Sequence, residues 1–523
     1  MPNNELGDFQ TPPPLAQQVV RIVGAGTWDR VFEPTCGEGS FLQASMALQP
    51  REMLGLELQT AYAERARAFA PVVQDDIFDI DIGNDLPWKD PTGSLLVVGN
   101  PPWVTNSQLG QLGSMNVPAK QNIRQLRGID AMTGSSNFDI AEYIWLKLIA
   151  DLHKQEPTIA LLCKTIVARN VLTYAAQHKL PVGDAALYMI DAKEWFGVSV
   201  DACLFVVTVQ QGAENYTCRW YPSLSSSIEE RTIGVVDGRM VSDAVAYEDT
   251  RCIDGVSPVV WRQGIKHDAS GVMELLFDGH TLKTKVGVVL NLESTHVYPM
   301  LKCTDVFRGR TVADGKRMIV PQRSLQDDLS DLADRAPAVW EYLSLHGPAM
   351  DGRKSSIYRN RPRFCIFGVG EYSFAPFKVA VSGLHKEARF RAVGPVGDTP
   401  VVFDDTCYFI PAETALQAAG LSALLNSTTC QRAIESLAFW DAKRPITKKL
   451  LQRIDLAAVA RMTSRTELKA LAKEAMELQL HVPIPEADVL MGLGEILADW
   501  DARSSIPTSA PERARAHQEA FAF

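Results

Sequence analysis

The chain has 523 residues, 46% of them hydrophobic and 22% charged, with a formal net charge of −10 at pH 7. That length is too great for one ordinary core and predicts two or three domains of a water-soluble globular protein. No apolar run reaches the ~18 residues needed to cross a bilayer, and Met1-Pro2-Asn3-Asn4-Glu5 has neither the basic nor the apolar region of a signal peptide. The nine cysteines form no CxxC pair and no Cys/His spacing suited to zinc, so reduced thiols, no bound metal and a cytoplasmic setting are expected.

Phe9-Gln10-Thr11-Pro12 precedes an amphipathic stretch, LAQQVVRIV, where Thr11 either caps the helix or offers its hydroxyl and amide to a ligand carboxylate. Arg30–Glu33 reads as a strand that runs through a glycine-containing turn into a helix near Ser40–Leu48. Strands follow at Glu52–Glu57, Val72–Asp75 and Ser94–Gly99, the last strongly apolar and ending at Asn100. A helix near Phe138–Leu152, a strand at Thr158–Cys163, and strands near Ala185–Ile190 and Ala202–Val209 complete the pattern. The last two strands are joined only by DAKEWFGVSVD, too short for a crossover, so they should pair antiparallel. Residues 1–212 therefore predict a Rossmann-like α/β domain, mostly parallel with one antiparallel strand. After Gln211 the βα alternation stops. A mixed α+β domain is expected over 213–455, and a helical C-terminal extension with a polar tail over 456–523.

An acidic chain is at first sight a poor partner for nucleic acid, but its charge is uneven. Between Lys302 and Arg453 there are 22 Lys+Arg against 16 Asp+Glu. The densest stretch, RKSSIYRNRPR, carries Arg353, Lys354, Arg359, Arg361 and Arg363 with no acid among them. It reads either as a solvated loop or as a phosphate-binding one. Lys120, Arg124 and Arg127 lie in the long Gly/Ser/Asn-rich segment from Val104 to Asn137, and long loops of this kind commonly clamp a ligand.

Glu33-Pro34-Thr35-Cys36-Gly37-Glu38-Gly39 occupies the turn from the first strand into a helix. Gly37 and Gly39 let backbone approach a ligand, since no Cβ intervenes. Glu57 ends the second strand, 20 residues after Gly37, where a carboxylate can accept both hydroxyls of a ribose. Asp76 follows the third strand and is placed to accept from an adenine amino group, with Ile77 against the ring. There is no phosphate-binding GxxxxGK[ST] and no full GxGxxG, which favours an adenosine-type ligand without phosphates. S-adenosylmethionine fits, its methionine end lying along Glu33, Cys36, Gly37 and Gly39 and near Thr11.

Gly99 is followed by Asn100-Pro101-Pro102-Trp103. An aromatic amino group is a weak nucleophile because its lone pair is delocalised. An Asn oxygen and a neighbouring carbonyl can each accept one N–H, turning the lone pair toward a methyl donor. The prolines fix φ and remove competing donors, leaving a rigid backbone with available carbonyls. Positioning and oriented dipoles suffice for such a transfer without a strong base. Trp103 offers a stacking face for a base, and Phe196, in Trp195-Phe196-Gly197-Val198, is the candidate second wall or else an aromatic packed beneath the hairpin. A base held in a duplex reaches such a site only when flipped out.

In their order along the chain, Phe9–Pro12, Glu33–Phe41, Glu57, Asp76, Asn100–Trp103 and Phe196 resemble the gamma-class amino-group (adenine-N6) DNA methyltransferases of restriction–modification systems. The resemblance implies S-adenosylmethionine as cofactor, with Asn100 also touching it, and Asn100, Pro101, Pro102 and Trp103 as catalytic residues. It further implies a target-recognition domain after the catalytic one, double-stranded DNA as substrate, and room for a separately encoded restriction endonuclease as partner. GIKHDAS (264–270), RKSSIYRNRPRF, GEYSFAPFKVAVSGL and DDTCYF are similar to segments of such enzymes. Thr35, where a small residue is common, and Trp103, where Tyr or Phe is usual, depart from the pattern. Related enzymes with this tetrapeptide that methylate a protein glutamine or RNA are the first alternative, and a non-catalytic DNA-binding defence component is the second. Cytosine-N4 methylation usually comes with Ser in place of Asn100. A fused nuclease finds no PD…(D/E)xK set, and motifs starting at residue 9 leave it no N-terminal room.

Overall fold

The computed structural model describes residues 9–24, 28–104, 139–310, 315–477 and 486–504. The backbone forms two compact units, Met1–Val245 and Ala246–Phe523.

The first unit is built on one ten-stranded sheet. Its strands are β1 (Arg30–Glu33), β2 (Glu52–Glu57), β3 (Val72–Gln74), β4 (Leu95–Gly99), β5 (Thr158–Lys164), β6 (Val182–Asp191), β7 (Asp201–Val209), β8 (Thr217–Tyr221), β9 (Arg231–Val236) and β10 (Arg239–Val241). Their spatial order is β10-β9-β8-β6-β7-β5-β4-β1-β2-β3. From β3 to β5 all neighbours are parallel, while β7 inserts antiparallel between β5 and β6. Every residue of β1 and β4 is buried, as an unbroken apolar run must be when both sheet faces are covered.

One face is covered by α1 (Pro13–Val23), which starts with proline and buries Leu15, Ala16, Val19, Val20 and Val23. That spacing makes one apolar stripe, and it packs with Val31, Leu96, Val98, Leu162 and Leu204 of the sheet. α2 (Ser40–Ser45) and α3 (Thr60–Ala66) follow β1 and β2. α4 (Ile140–Leu152) is buried from Ile140 to Ile149, and its Trp145 ring meets Phe205 of β7 at 4.6 Å. α5 (Thr165–His178) follows β5, and the short α6 (Ala192–Phe196) lies between β6 and β7.

A domain end at residue 212 does not match this sheet. β8 pairs parallel with the outer edge of β6, and β9 and β10 continue antiparallel from it. Antiparallel additions need no crossover helix, so the loss of βα alternation marks a change of connection within one sheet.

The second unit carries two smaller sheets. The four-stranded one runs Arg262–Gln263, Cys407–Ala412, Phe377–Ser382, Arg391–Val393. The six-stranded one runs Val289–Leu290, Leu282–Lys283, Glu274–Phe277, Gly315–Ile319, Val297–Leu301, Val402–Phe403. Only the last pairing is parallel, giving a mixed α+β body. Three of the four segments with sequence likeness meet around residues 264–267. Gly264 N–H donates to Cys407 O at 3.0 Å, Ile265 N–H to Phe403 O at 2.7 Å, and Tyr358 O–H to Lys266 O at 3.3 Å. A side chain at Gly264 would meet the Asp404 carbonyl at 2.0 Å, so only glycine fits this crossing. Helices Arg465–Glu477 and Glu486–Ser504 pack against helix Ala415–Leu425, so the described C-terminal residues belong to this unit and do not form a separate extension. No described helix is long and apolar enough to cross a membrane.

Candidate active site

The carboxyl ends of β1, β2, β3 and β4 share one edge of the sheet, where open α/β sheets place their ligands. A cleft of about 1050 Å³, open mouth included, lies at this edge. Thr11, Glu33, Cys36, Gly37, Glu57, Asp76, Ile77 and Asn100 all line it.

The turn after β1 is clamped from two sides. Glu57 accepts the Gly37 N–H at 2.8 Å on one oxygen and the Gln59 N–H at 2.8 Å on the other. Gln10 accepts the Glu38 N–H at 3.0 Å. Gly37 sits at φ +50°, and a Cβ there would meet the Gln10 side chain at 2.6 Å. Gly39 serves another purpose: at φ +87° it is the N-cap of α2, and a Cβ there would meet the Ala66 backbone of α3 at 3.0 Å. It is absent from the cleft lining, and the close packing against α3 by itself requires glycine there.

Glu33 is 2% exposed and accepts the Leu42 N–H at 3.0 Å. Burial pushes its carboxyl well above the usual range; the Leu42 N–H pulls it partly back, and nearby Glu57 adds to the rise. Burial likewise pushes the Cys36 thiol up, and this buried thiol is unreactive. Asp76 accepts the Phe78 N–H at 2.9 Å and is raised by burial, with Ile77 buried beside it. Thr11 is 8% exposed and does not cap α1, whose N-cap is Pro12 without a side-chain bond.

Asn100 follows β4 with its amide orientation fixed. Nδ2 donates to the Phe9 carbonyl at 3.1 Å, so Oδ1 points elsewhere; Oδ1 is sealed from solvent and accepts no hydrogen bond among the described residues. Pro101 and Trp103 are buried and lie outside the cleft lining, whereas Pro102 is part of it. Trp103 Nε1 donates to Leu162 O at 3.4 Å.

Trp103 and Phe196 do come together, though not as two walls of a slot. Their rings meet edge to face at 5.1 Å, and Phe9 touches both, at 5.9 and 5.8 Å. A base held between two faces needs them about 7 Å apart, two contacts of about 3.5 Å each. In this state the three rings fill the space themselves.

The basic stretch of the second unit divides sharply. Arg353 is turned inward: its guanidinium donates to the carbonyls of Met350 at 2.8 Å, Cys365 at 2.7 Å and Arg363 at 2.7 Å, and lies 3.7 Å from the Tyr358 ring centre. Arg363 forms a two-pronged pair with Asp351. Lys354, Arg359 and Arg361 are exposed and carry no ion pair among the described residues. Lys120 and Arg124 lie outside the described residues. Sequence reasoning passed over two groups at the cleft: Gln10 as a clamp of the glycine turn, and Phe9 as the third ring. Both sit inside Phe9–Pro12, which was the available signal.

No family model matches the sequence. Over 469 residues the chain is 38% identical to the Type II methyltransferase M.NspV of Nostoc sp. (strain ATCC 29411 / PCC 7524), covering 88% of this chain and 98% of that protein. The fold is similar to that of the Type IIL restriction–modification enzyme MmeI, solved in complex with DNA, with a TM-score of 0.54 and 12% identity over 96% of this chain and 74% of that one.

Proposed function

Since the chain belongs to the Type II methyltransferase family, we propose that it transfers a methyl group from S-adenosylmethionine to N6 of an adenine flipped out of double-stranded DNA, as the modification enzyme of a restriction–modification system. The observation that carries this reading is Asn100 Oδ1, a buried acceptor with no partner among the described residues, on the lining of the sheet-edge cleft. A buried acceptor without a donor is costly, and an exocyclic amino group supplies the missing N–H.

The lining fits the cofactor. A carboxylate offers about four acceptor positions, and Glu57, which also clamps the turn through the Gly37 and Gln59 N–H groups, is the residue assigned to the ribose hydroxyls. Asp76 keeps one oxygen for an adenine amino group, with Ile77 beside it. Glu33, Cys36, Gly37 and Thr11 border the space for the methionine end. When bound, S-adenosylmethionine supplies an electrophilic methyl on a sulfonium. The protein's part is to hold the amino nitrogen by two accepted hydrogen bonds, one on Asn100 Oδ1 and one on the Pro101 carbonyl. No described hydrogen bond ends on that carbonyl. With both N–H bonds held, the lone pair is directed at the methyl, and the proton leaves to solvent after transfer, without a dedicated base. Stacking on Trp103 is worth about 1–3 kcal/mol.

The test is expression in a host whose DNA carries no methylation, followed by genome-wide mapping of modified bases. N6-methyladenine at one short motif is expected. Unmodified DNA together with methylated protein or RNA would overturn the reading, as would N4-methylcytosine.

A further inference from the structure

β5 runs three residues beyond the last pairing of β4, which ends at Gly99↔Leu161. This overhang lies beside Asn100–Trp103 and holds Trp103 at two points. Leu162 O accepts the indole N–H at 3.4 Å, and Lys164 Nζ donates to the Trp103 carbonyl at 3.1 Å. Lys164 also pairs with Asp139 at 2.7 Å. Asp139 in turn is the N-cap of α4, accepting the Ala141 N–H at 3.1 Å on its other oxygen. Ile140 N–H donates to Val104 O at 3.0 Å, so the residue after Trp103 is tied to the same helix start.

The Lys164 and Asp139 side chains are 20% and 9% exposed. A buried ion pair gains little stability over apolar residues of the same size, because both charges must be desolvated. What it does supply is fixed geometry. Here that geometry is applied to a peptide group that directly follows Pro101 and Pro102 in the chain, whose φ angles are locked by their rings. A displacement of the Trp103 carbonyl is therefore transmitted to the Pro101 carbonyl and Asn100.

We propose that Lys164, held by Asp139, is a positioning residue that fixes the Asn100–Trp103 backbone in the geometry required for methyl transfer. The inference rests on the reading of Asn100–Trp103 as the catalytic segment. Lys164 is absent from the lining of the cofactor cleft, so its removal should spare ligand binding and slow the chemical step.

The experiment compares full-length wild type, Lys164→Met, Lys164→Arg, Asp139→Asn and Asn100→Ala in single-turnover methyl transfer to DNA, in DNA titration and in S-adenosylmethionine binding by calorimetry. Lys164→Met should lower the transfer rate about 10–100-fold, the range for small misplacement of reacting groups, with both binding constants within about twofold. Lys164→Arg can still donate to the Trp103 carbonyl and to Asp139, and should recover most of the rate. Asp139→Asn keeps the helix cap while releasing the ammonium, so it should fall between them even if Lys164→Met fails to fold. An unchanged transfer rate in Lys164→Met or in Asp139→Asn, with Asn100→Ala inactive, would overturn the inference, as would a loss confined to cofactor or DNA affinity. Full turnover by Asn100→Ala would instead remove the catalytic reading beneath it.

Discussion

The residues of the sheet-edge cleft and the basic loop at 353–363 both stand out in the sequence, yet they relate differently to the structure. In the cleft, residue types spaced far apart along the chain are gathered by one rule, that parallel strands end on a common edge. Eight candidate side chains or backbone groups from four strand ends and the N-terminal segment line the same space. In the loop, five cations adjacent in sequence are separated by structure: Arg353 and Arg363 are consumed by internal partners, and Lys354, Arg359 and Arg361 remain exposed. Order along a sheet edge is dictated by topology, whereas the direction of a loop side chain depends on which carbonyl or carboxylate happens to lie within reach.

The largest effect separating the two regions is expected at Asn100. Asn100→Ala should reduce methyl transfer by about 10³-fold, comparable to removing one oriented transition-state partner, while cofactor binding measured by calorimetry stays within severalfold. Retained turnover would detach the cleft from the chemistry. Next comes the division within the loop. Arg353→Ala removes three short bonds to carbonyls and should cost about 2 kcal/mol of stability, read as a shift in the urea midpoint. Arg359→Ala and Arg361→Ala should leave that midpoint in place and each lower the salt dependence of DNA binding by about 0.9 in log–log slope. The reverse pattern would exchange the roles assigned to inward and outward arginines.

The last effect concerns pH. Burial raises the Glu142 carboxyl to about 7, against the Asn170 amide that donates to it at 2.8 Å. A carboxyl raised in the folded state binds its proton more tightly there than in the unfolded chain. Its contribution to stability is thus complete below about 4.5 and is lost as pH climbs through about 7. Glu142→Gln should therefore match wild type in unfolding free energy at pH 4.5 and exceed it at pH 8, by roughly 1–3 kcal/mol, read by urea denaturation at the two pH values. A gap that widens toward acid would invert the assignment.

Much of the first unit was legible because its signals are local and periodic: the apolar runs of β1 and β4, the stripe of α1, and the short β6–β7 connection that forces antiparallel pairing. What escaped the sequence depends on contacts across the fold. Nothing in GEG distinguishes Gly37, facing Gln10, from Gly39, facing Ala66. Thr11 has the chemistry of a cap, yet the N-cap position falls on Pro12 and leaves Thr11 to the cleft. β8–β10 read as a new domain because an antiparallel extension of a parallel sheet has the local pattern of any β-rich body. Lys164 had no signal, since its role arises only where β5 outlasts β4.

The contact of Phe9, Trp103 and Phe196 bears on fidelity. The three rings close on one another, so a base that stacks on Trp103 has first to part them. A free nucleoside brings little energy for that work, because most of what it gains is one stacking contact of about 1–3 kcal/mol. A base attached to a long polyanion arrives with the surplus of every phosphate contact made elsewhere. On the proposed reading, the closed aromatics would set a threshold that a base carried on DNA meets more readily than a free nucleoside does, so selection would rest on the size of the molecule that carries the base.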